Sequence, residues 1–150
     1  MIIDKLLSPA IKVLLSTFTA SANQLVGTAM DFGVARNNGL LSSSDGPGWL
    51  VSLKGATSAG ASTAQVRLVT SATADLANPT VLWTSPSFAL ADIAGLGKQL
   101  WVEVPDTDDW KQYVGFQITV GTAVFTGGTI STQFAANKRK FRAYPVQGNT

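Results

Sequence analysis

The sequence predicts an all-β protein, an antiparallel jelly-roll-like β-sandwich of about eight strands. The first observation is the segment Tyr113–Val120, in which apolar Val114, Phe116, Ile118 and Val120 alternate with other residues at the period of a strand. The second is that similar short runs recur along the chain with turn residues between them. The third is that no long helical pattern is evident. A chain of 150 residues is expected to form one domain over residues 1–150.

The first half of the chain contains four strand candidates separated by loops rich in Gly, Ser and Ala. Upstream of them, Asp4–Leu15 is a candidate helix, but Pro9 would interrupt it. An extended N-terminal arm over residues 1–18 is at least as well supported. The strand candidates of this half are Ile11–Thr19, Ala29–Ala35, Trp49–Lys54 and Ala64–Thr70.

The second half contains five further candidates, several of which alternate clearly. Gly127-Gly128 is a turn signal, after which Ile130, Thr132 and Phe134 alternate with polar residues. The segment Gln112–Phe134 is therefore expected to form antiparallel strands with one buried side. The candidates of this half are Thr80–Thr84, Ser87–Ala91, Gln99–Val104, Tyr113–Val120 and Gly128–Phe134.

The composition excludes several classes of function. The chain has no cysteine and no histidine, which removes disulfides, thiolate metal sites and every Ser-His-Asp or Cys-His nucleophile. Charged residues make up 13% of the chain, against about 25% in ordinary soluble domains. A surface with so few charges is typical of a subunit of an assembly, because the contact patches that subunits bury are depleted of charged residues.

The ends of the chain and its net charge argue against nucleic acid and membranes as partners. A net charge of +2 is too small for a nucleic-acid surface, which usually needs a clustered basic stripe. Asp4, Lys5, Pro9 and Lys12 break the apolar run that a signal peptide would need. No apolar stretch approaches the ~20 residues of a membrane span, so the protein is expected to be made and kept soluble.

Candidate catalytic and metal-binding groups are few. Asp106, Asp108 and Asp109 offer oxygen ligands to a hard cation such as calcium, but Asp-rich turns are common without any metal. A glycosidase would need a carboxylate pair, for which Glu103 and Asp106 are available. No motif supports a named mechanism, so the protein is expected not to be an enzyme and to hold no cofactor or metal.

The tryptophans and the ends of the chain are the candidate partner-binding residues. Trp101 lies out of phase with Leu100, Val102 and Val104, so it is expected on the exposed side of its strand, where Glu103 also points. Trp49 and Trp83 are expected in the core, whereas Trp110 fits either role. The candidate partner-binding residues are Trp101, Trp110, the apolar Ile2, Ile3, Leu6 and Leu7, and the cluster Lys138, Arg139, Lys140, Phe141 and Arg142 in a basic C-terminal arm over residues 138–150. Two interpretations of this cluster remain. It could be a solvated end that keeps the protein soluble, or it could dock on an acidic protein surface.

The chain resembles the small cement, or decoration, proteins of tailed bacteriophage heads, of the jelly-roll type first recognised in a short-tailed Bordetella phage. The resemblance rests on MIID at Met1–Asp4, DFGVARNNG at Asp31–Gly39, QLWVEVP at Gln99–Pro105, and YVGFQITV followed by a Gly-Gly turn and ISTQF. The segment Ser8–Phe18 and the basic C-terminal end depart from that pattern.

The resemblance implies a structural virion protein without enzymatic activity. Such a protein would bind the outer surface of the expanded head, bridge major capsid subunits, and form a symmetric homo-oligomer, with a dimer preferred to a trimer. It would be made in the host cytoplasm. The alternative is a carbohydrate-binding jelly-roll module of an adhesin or phage fibre, with Trp101 and Trp110 as stacking platforms.

Overall fold

Two antiparallel sheets are seen in a computed structural model, which describes residues 10–33, 47–105, 107 and 109–135. The elements of these residues are the strands β1 (Ala10–Leu14), β2 (Asn23–Asp31), β3 (Gly48–Thr57), β4 (Thr63–Ser71), β5 (Thr80–Thr84), β6 (Phe88–Ala89), β7 (Lys98–Glu103), β8 (Tyr113–Gly121) and β9 (Gly127–Ala135), a 3₁₀ turn at Leu15–Thr17, and the helix α1 (Leu90–Ile93).

The strand order is that of a jelly roll. Sheet A has the order β1-β9-β3-β7, and sheet B has the order β2-β8-β4-β5, with β6 pairing the other half of β4. Strands from the two ends of the chain pair with each other, and each later pair lies inside the previous one in the sequence. These antiparallel pairs are β1·β9, β2·β8, β3·β7 and β4·β5, and they alternate between the two sheets, as in a jelly roll. The predicted all-β antiparallel sandwich is confirmed.

The core lies between the two sheets and is built by alternation along the strands. In β8, Val114, Phe116, Ile118 and Val120 are all fully buried, as their spacing predicts. Facing them, Trp49 is also buried and meets the Phe116 ring edge to face, with ring centroids 5.8 Å apart. Each large apolar side chain buried here stabilises the fold by roughly 1.5–3 kcal/mol. The prediction that Trp49 belongs to the core is confirmed.

The N-terminal segment is part of the sandwich from residue 10 onward, so the predicted arm over residues 1–18 is wrong for this part. Ala10–Leu14 forms β1, which pairs with β9, and therefore the candidate helix Asp4–Leu15 does not continue to Leu15. Leu15 and Phe18 are 0% and 5% exposed in the core, and their burial fixes this segment between the sheets. Residues 1–9 lie outside the described residues.

The other differences from the predicted strands have local causes. β2 is found at Asn23–Asp31 instead of Ala29–Ala35, because an irregular register between Val26 and Met30 hides its alternation. The candidate strand Ser87–Ala91 ends at Ala89, after which α1 begins. The Asp92 carboxylate of α1 accepts a hydrogen bond from the Ala89 N–H at 3.1 Å and caps the start of this helix. Gly127-Gly128 begins β9, and the chain turns earlier, at residues 122–126. β8 and β9 consequently lie in different sheets.

The outer faces of the two sheets differ. On sheet B, the loop of residues 72–79 lies over the outer face, where Leu76 is 2% exposed and Val69 is fully buried outside the main core. The Ser71 hydroxyl donates to the Ala77 carbonyl oxygen at 2.7 Å and anchors this loop. Hydrogen bonds from the Thr73 side chain and from the Ala77 N–H lower the pKa of Asp75 in the same loop. Sheet A keeps an outer face that presents side chains to solvent. Within the described ranges, no helix is long and apolar enough to cross a membrane.

Removing the Phe116 ring should strongly destabilise the fold. Phe116→Ala leaves a cavity beside Trp49 between the two sheets, and the free energy of unfolding is expected to fall by about 3–5 kcal/mol. Urea unfolding followed by tryptophan fluorescence measures this loss. Leu96→Ala is the control, because Leu96 is 98% exposed and should change stability by less than about 0.5 kcal/mol. Equal losses in the two variants would contradict this account of the core.

Two neighbouring glycines before β7 should respond differently to alanine. Both have positive φ, +59° at Gly95 and +73° at Gly97, so each Gly→Ala change costs roughly 1–2 kcal/mol in backbone strain. A Cβ at Gly95 meets nothing within 4 Å, whereas one at Gly97 would lie 1.9 Å from the Leu53 carbonyl oxygen. Thermal unfolding should therefore show a clearly larger loss for Gly97→Ala than for Gly95→Ala, and the reverse order would contradict the β3–β7 packing.

Candidate interaction surface

Trp101 lies on the outer face of sheet A, as the sequence predicts. It pairs in register with Leu50, which alternates along β3 with the buried Trp49 and Val51. The indole ring lies against Gly48, where an added Cβ would be only 2.9 Å from the Trp101 Cζ2 atom. The absence of a side chain at Gly48 therefore lets the ring lie close to the sheet. Trp101 is partly buried in this position, so part of the ring is available to a partner.

A groove of about 290 Å³ runs along the edge of the sandwich beside Trp101, and we call it the aromatic groove. It lies where β5 ends sheet B and β7 ends sheet A. Trp83, which was predicted as core, packs against the core but is only partly buried and also lines this groove. The groove is lined by Leu82, Trp83, Trp101, Glu103, Val104 and Pro105.

A second groove, of about 270 Å³, crosses the outer face of sheet A, and we call it the polar groove. It is next to Trp101, because Leu50 pairs with Trp101 on one side and with Gln133 on the other. Leu50 lines the polar groove and its neighbour Trp101 lines the aromatic groove, so the two grooves are adjacent. The polar groove is lined by Lys12, Leu50, Ser52, Lys54, Gln99, Ser131 and Gln133.

Trp110 belongs to the core, so its prediction as a partner-binding residue and stacking platform is wrong. The side chain is 2% exposed, and its ring meets that of Phe32 edge to face with centroids 5.9 Å apart. The indole Nε1 donates to the Pro105 carbonyl oxygen at 3.0 Å. This hydrogen bond satisfies the polar atom of the ring and thereby allows its burial.

The acidic residues after β7 show the contacts of a local turn where they are described. The Asp109 carboxylate accepts the Thr107 hydroxyl at 3.3 Å, and the Asp109 N–H donates to the same hydroxyl oxygen. Glu103 is exposed at the end of β7 and lines the aromatic groove. No group of three or more Asp, Glu, His or Cys in the described part of the chain is arranged to hold a metal ion. Asp106 and Asp108 lie outside it.

The remaining candidate residues also lie outside the described residues, and their roles stay predictions. They are Ile2, Ile3, Leu6 and Leu7 near the N-terminus and Lys138, Arg139, Lys140, Phe141 and Arg142 near the C-terminus. Sequence reasoning missed the polar groove, although the alternation of Leu50, Ser52 and Lys54 along β3 is visible in the sequence. The sequence does not show that β9 pairs with β3, or that β1 pairs with β9 on the other side.

Comparison with known proteins identifies a family. No curated protein matches the chain. The family model of Bbp16 matches residues 16–134, which extend from the 3₁₀ turn to near the end of β9. The name of that family suggests a Bordetella phage protein, which is consistent with a phage origin. Because the match includes nearly the whole sandwich, the chain belongs to the Bbp16 family.

Proposed function

We propose that this protein is a capsid cement protein, which binds the outer surface of the expanded phage head and bridges neighbouring major capsid subunits. The observation that carries the proposal is the Bbp16 match over a jelly roll, in which no described loop covers the outer face of sheet A. We also propose that the protein acts as a homo-oligomer, preferably a dimer, and resides on the outside of the virion.

The surface around Trp101 supplies the kind of contact that such a function requires. Tryptophan is enriched among the residues that dominate binding energy, and these residues lie in the middle of a surrounding contact area. Trp101 has such a position, with the aromatic groove on one side and Leu50 and the polar groove on the other. We therefore assign the face of sheet A that bears Trp101 to the capsid contact.

The composition supports binding rather than chemistry. The chain has no histidine or cysteine, and only 13% of its residues are charged. The proposal accordingly assigns the protein no catalytic residue and no cofactor. Cementing needs many copies that each hold neighbouring subunits, so contacts of modest strength are sufficient because they act together.

Carbohydrate binding is the second candidate, and one observation favours it. Beside Trp101, the outer face carries amide and hydroxyl side chains at Gln99, Gln133, Ser52 and Ser131, which are groups that hydrogen-bond sugars while an aromatic ring stacks on them. Of the two proposed stacking platforms only Trp101 remains, since Trp110 is buried. A glycan array with no binding above background would remove this candidate.

The purified protein should bind mature heads that lack it. Co-sedimentation with expanded, cement-free heads is expected to show saturable binding, because a repeating shell offers a fixed number of equivalent sites. Unexpanded precursor heads serve as the comparison and should bind less. Heads with bound protein should also resist heat better than bare heads. Absence of binding together with unchanged heat resistance would refute the cement function.

Replacing Trp101 should weaken head binding without unfolding the protein. Trp101→Ala removes the aromatic side chain from the centre of the surface, and the affinity is expected to fall about tenfold or more. Trp101→Phe, which keeps an aromatic ring against Gly48, should lose less. Titration of heads with each variant measures the affinities.

Two controls accompany the Trp101 variants. Leu96→Ala removes an exposed apolar side chain from the loop before β7 and should bind heads like the natural protein. Urea unfolding of each variant shows whether the sandwich is intact under the binding conditions. If folded Trp101→Ala binds heads with unchanged affinity, the capsid contact lies elsewhere on the molecule.

A further inference from the structure

We propose that the polar groove of sheet A binds an acidic segment of a protein partner, with Lys12 and Lys54 contacting its carboxylates. Where the partner is the major capsid protein, the proposal rests on the cement function and assigns the chemistry of the capsid segment. It predicts carboxylate side chains with an apolar side chain at one end of the segment. The apolar residue would contact Leu50 beside Trp101.

The backbone around Lys12 holds this residue beside the groove in an uncommon conformation. Between the pairs Ala10↔Thr132 and Val13↔Ile130, β1 has two residues opposite one residue of β9. Lys12 is in this bulge with a φ of +54°, and its N–H donates to the Ser131 hydroxyl at 3.0 Å. Bulges of this kind redirect a side chain at the edge of a sheet. A lysine in the left-handed region is strained, and such strain tends to persist where it serves a function.

Lys54 supplies the second charge on the same face. It follows Ser52 by two residues along β3, and Ser52 pairs with Ser131, the residue that holds Lys12. The backbone positions of the two lysines are therefore separated by about 10 Å across the strands and about 7 Å along them. Lys12 follows Ser131 and Ser52 across the strands, and Lys54 is the next outward residue of β3 after Ser52, so both lysines lie beside the two serines.

The charges of the groove are not balanced within the described residues. Its lining contains two lysines and no carboxylate, and no ion pair within the described ranges involves Lys12 or Lys54. The groove therefore presents positive charge that a partner bearing carboxylates would complement. A carboxylate partner fits better than a nucleic acid, because phosphate backbones are bound by stripes or clusters of many cations. Leu50 at one end of the groove favours a peptide with an apolar residue.

The test uses the full chain and a fluorescent peptide of four glutamates followed by one leucine, with the same peptide carrying glutamines as its control. Fluorescence anisotropy should show saturable binding of the glutamate peptide that weakens with added salt. Lys12→Gln and Lys54→Gln should each weaken binding roughly two- to fivefold. Lys111→Gln is the matched control, since Lys111 lies outside the groove, and should bind like the natural protein.

Further outcomes decide against the proposal. Unchanged affinity in Lys12→Gln and Lys54→Gln, or equal binding of the glutamine peptide, would overturn it. Tighter binding of a DNA duplex with the same number of charges would replace it with a nucleic-acid surface. Lys12→Gly removes the ammonium group, so it should lose affinity for the glutamate peptide. Because glycine adopts a positive φ without strain, the free energy of unfolding of this variant should stay equal or rise. A purely structural role of Lys12 would leave affinity for the peptide unchanged.

The failure of this inference and the failure of the cement function give different results. If heads bind the natural protein and both lysine variants equally, the acidic segment is refuted and the cement function stands. If heads do not bind the natural protein, but the glutamate peptide binds it through Lys12 and Lys54, the cement function is refuted and the acidic ligand stands.

Discussion

The packing of the Trp49 ring against the Phe116 ring is the contact on which the architecture depends, because it joins the two sheets at the centre of the core. Trp49 belongs to β3 in sheet A and Phe116 to β8 in sheet B. Once Trp49 and Val51 point inward, Leu50, Ser52 and Lys54 must point outward, since side chains alternate along a strand. A slip of one residue would reverse both sets. The core therefore determines which side chains form the outer surface of sheet A.

The two outer faces of the sandwich differ in what covers them within the described residues. Sheet B has the loop of residues 72–79 above it, with Leu76 buried against that face. Sheet A has no such cover among the described residues, and its outer face carries Trp101 together with polar and basic side chains. Trp101 is partly buried on this face, and the part of its ring that stays accessible is available to a partner. The asymmetry supports sheet A as the binding face.

Much of the fold could be predicted because alternation is a local property of the sequence. The inward residues of β8 and the outward position of Trp101 followed from the strand period alone. β2 was misplaced because its irregular register interrupts the alternation between Val26 and Met30. Trp110 could not be assigned, since its burial depends on the ring of Phe32 and on the Pro105 carbonyl oxygen. The polar groove was missed because Lys12, Lys54 and Gln99 meet only through pairing between distant strands.

The physical roles of the two grooves differ in a way that suits a protein bound in many copies. An exposed pair of opposite charges contributes about 0–1 kcal/mol, so Lys12 and Lys54 add little affinity even when both find carboxylates. In the proposed contact the two lysines would contribute chiefly to the rate and the orientation of docking. A tryptophan at the centre of a contact contributes about 2 kcal/mol or more, so Trp101 would supply most of the affinity of the proposed capsid contact. Such a surface would bind weakly as a single copy. On a repeating shell, copies joined in an oligomer would bind neighbouring subunits at once, and their modest affinities would combine into a stable layer.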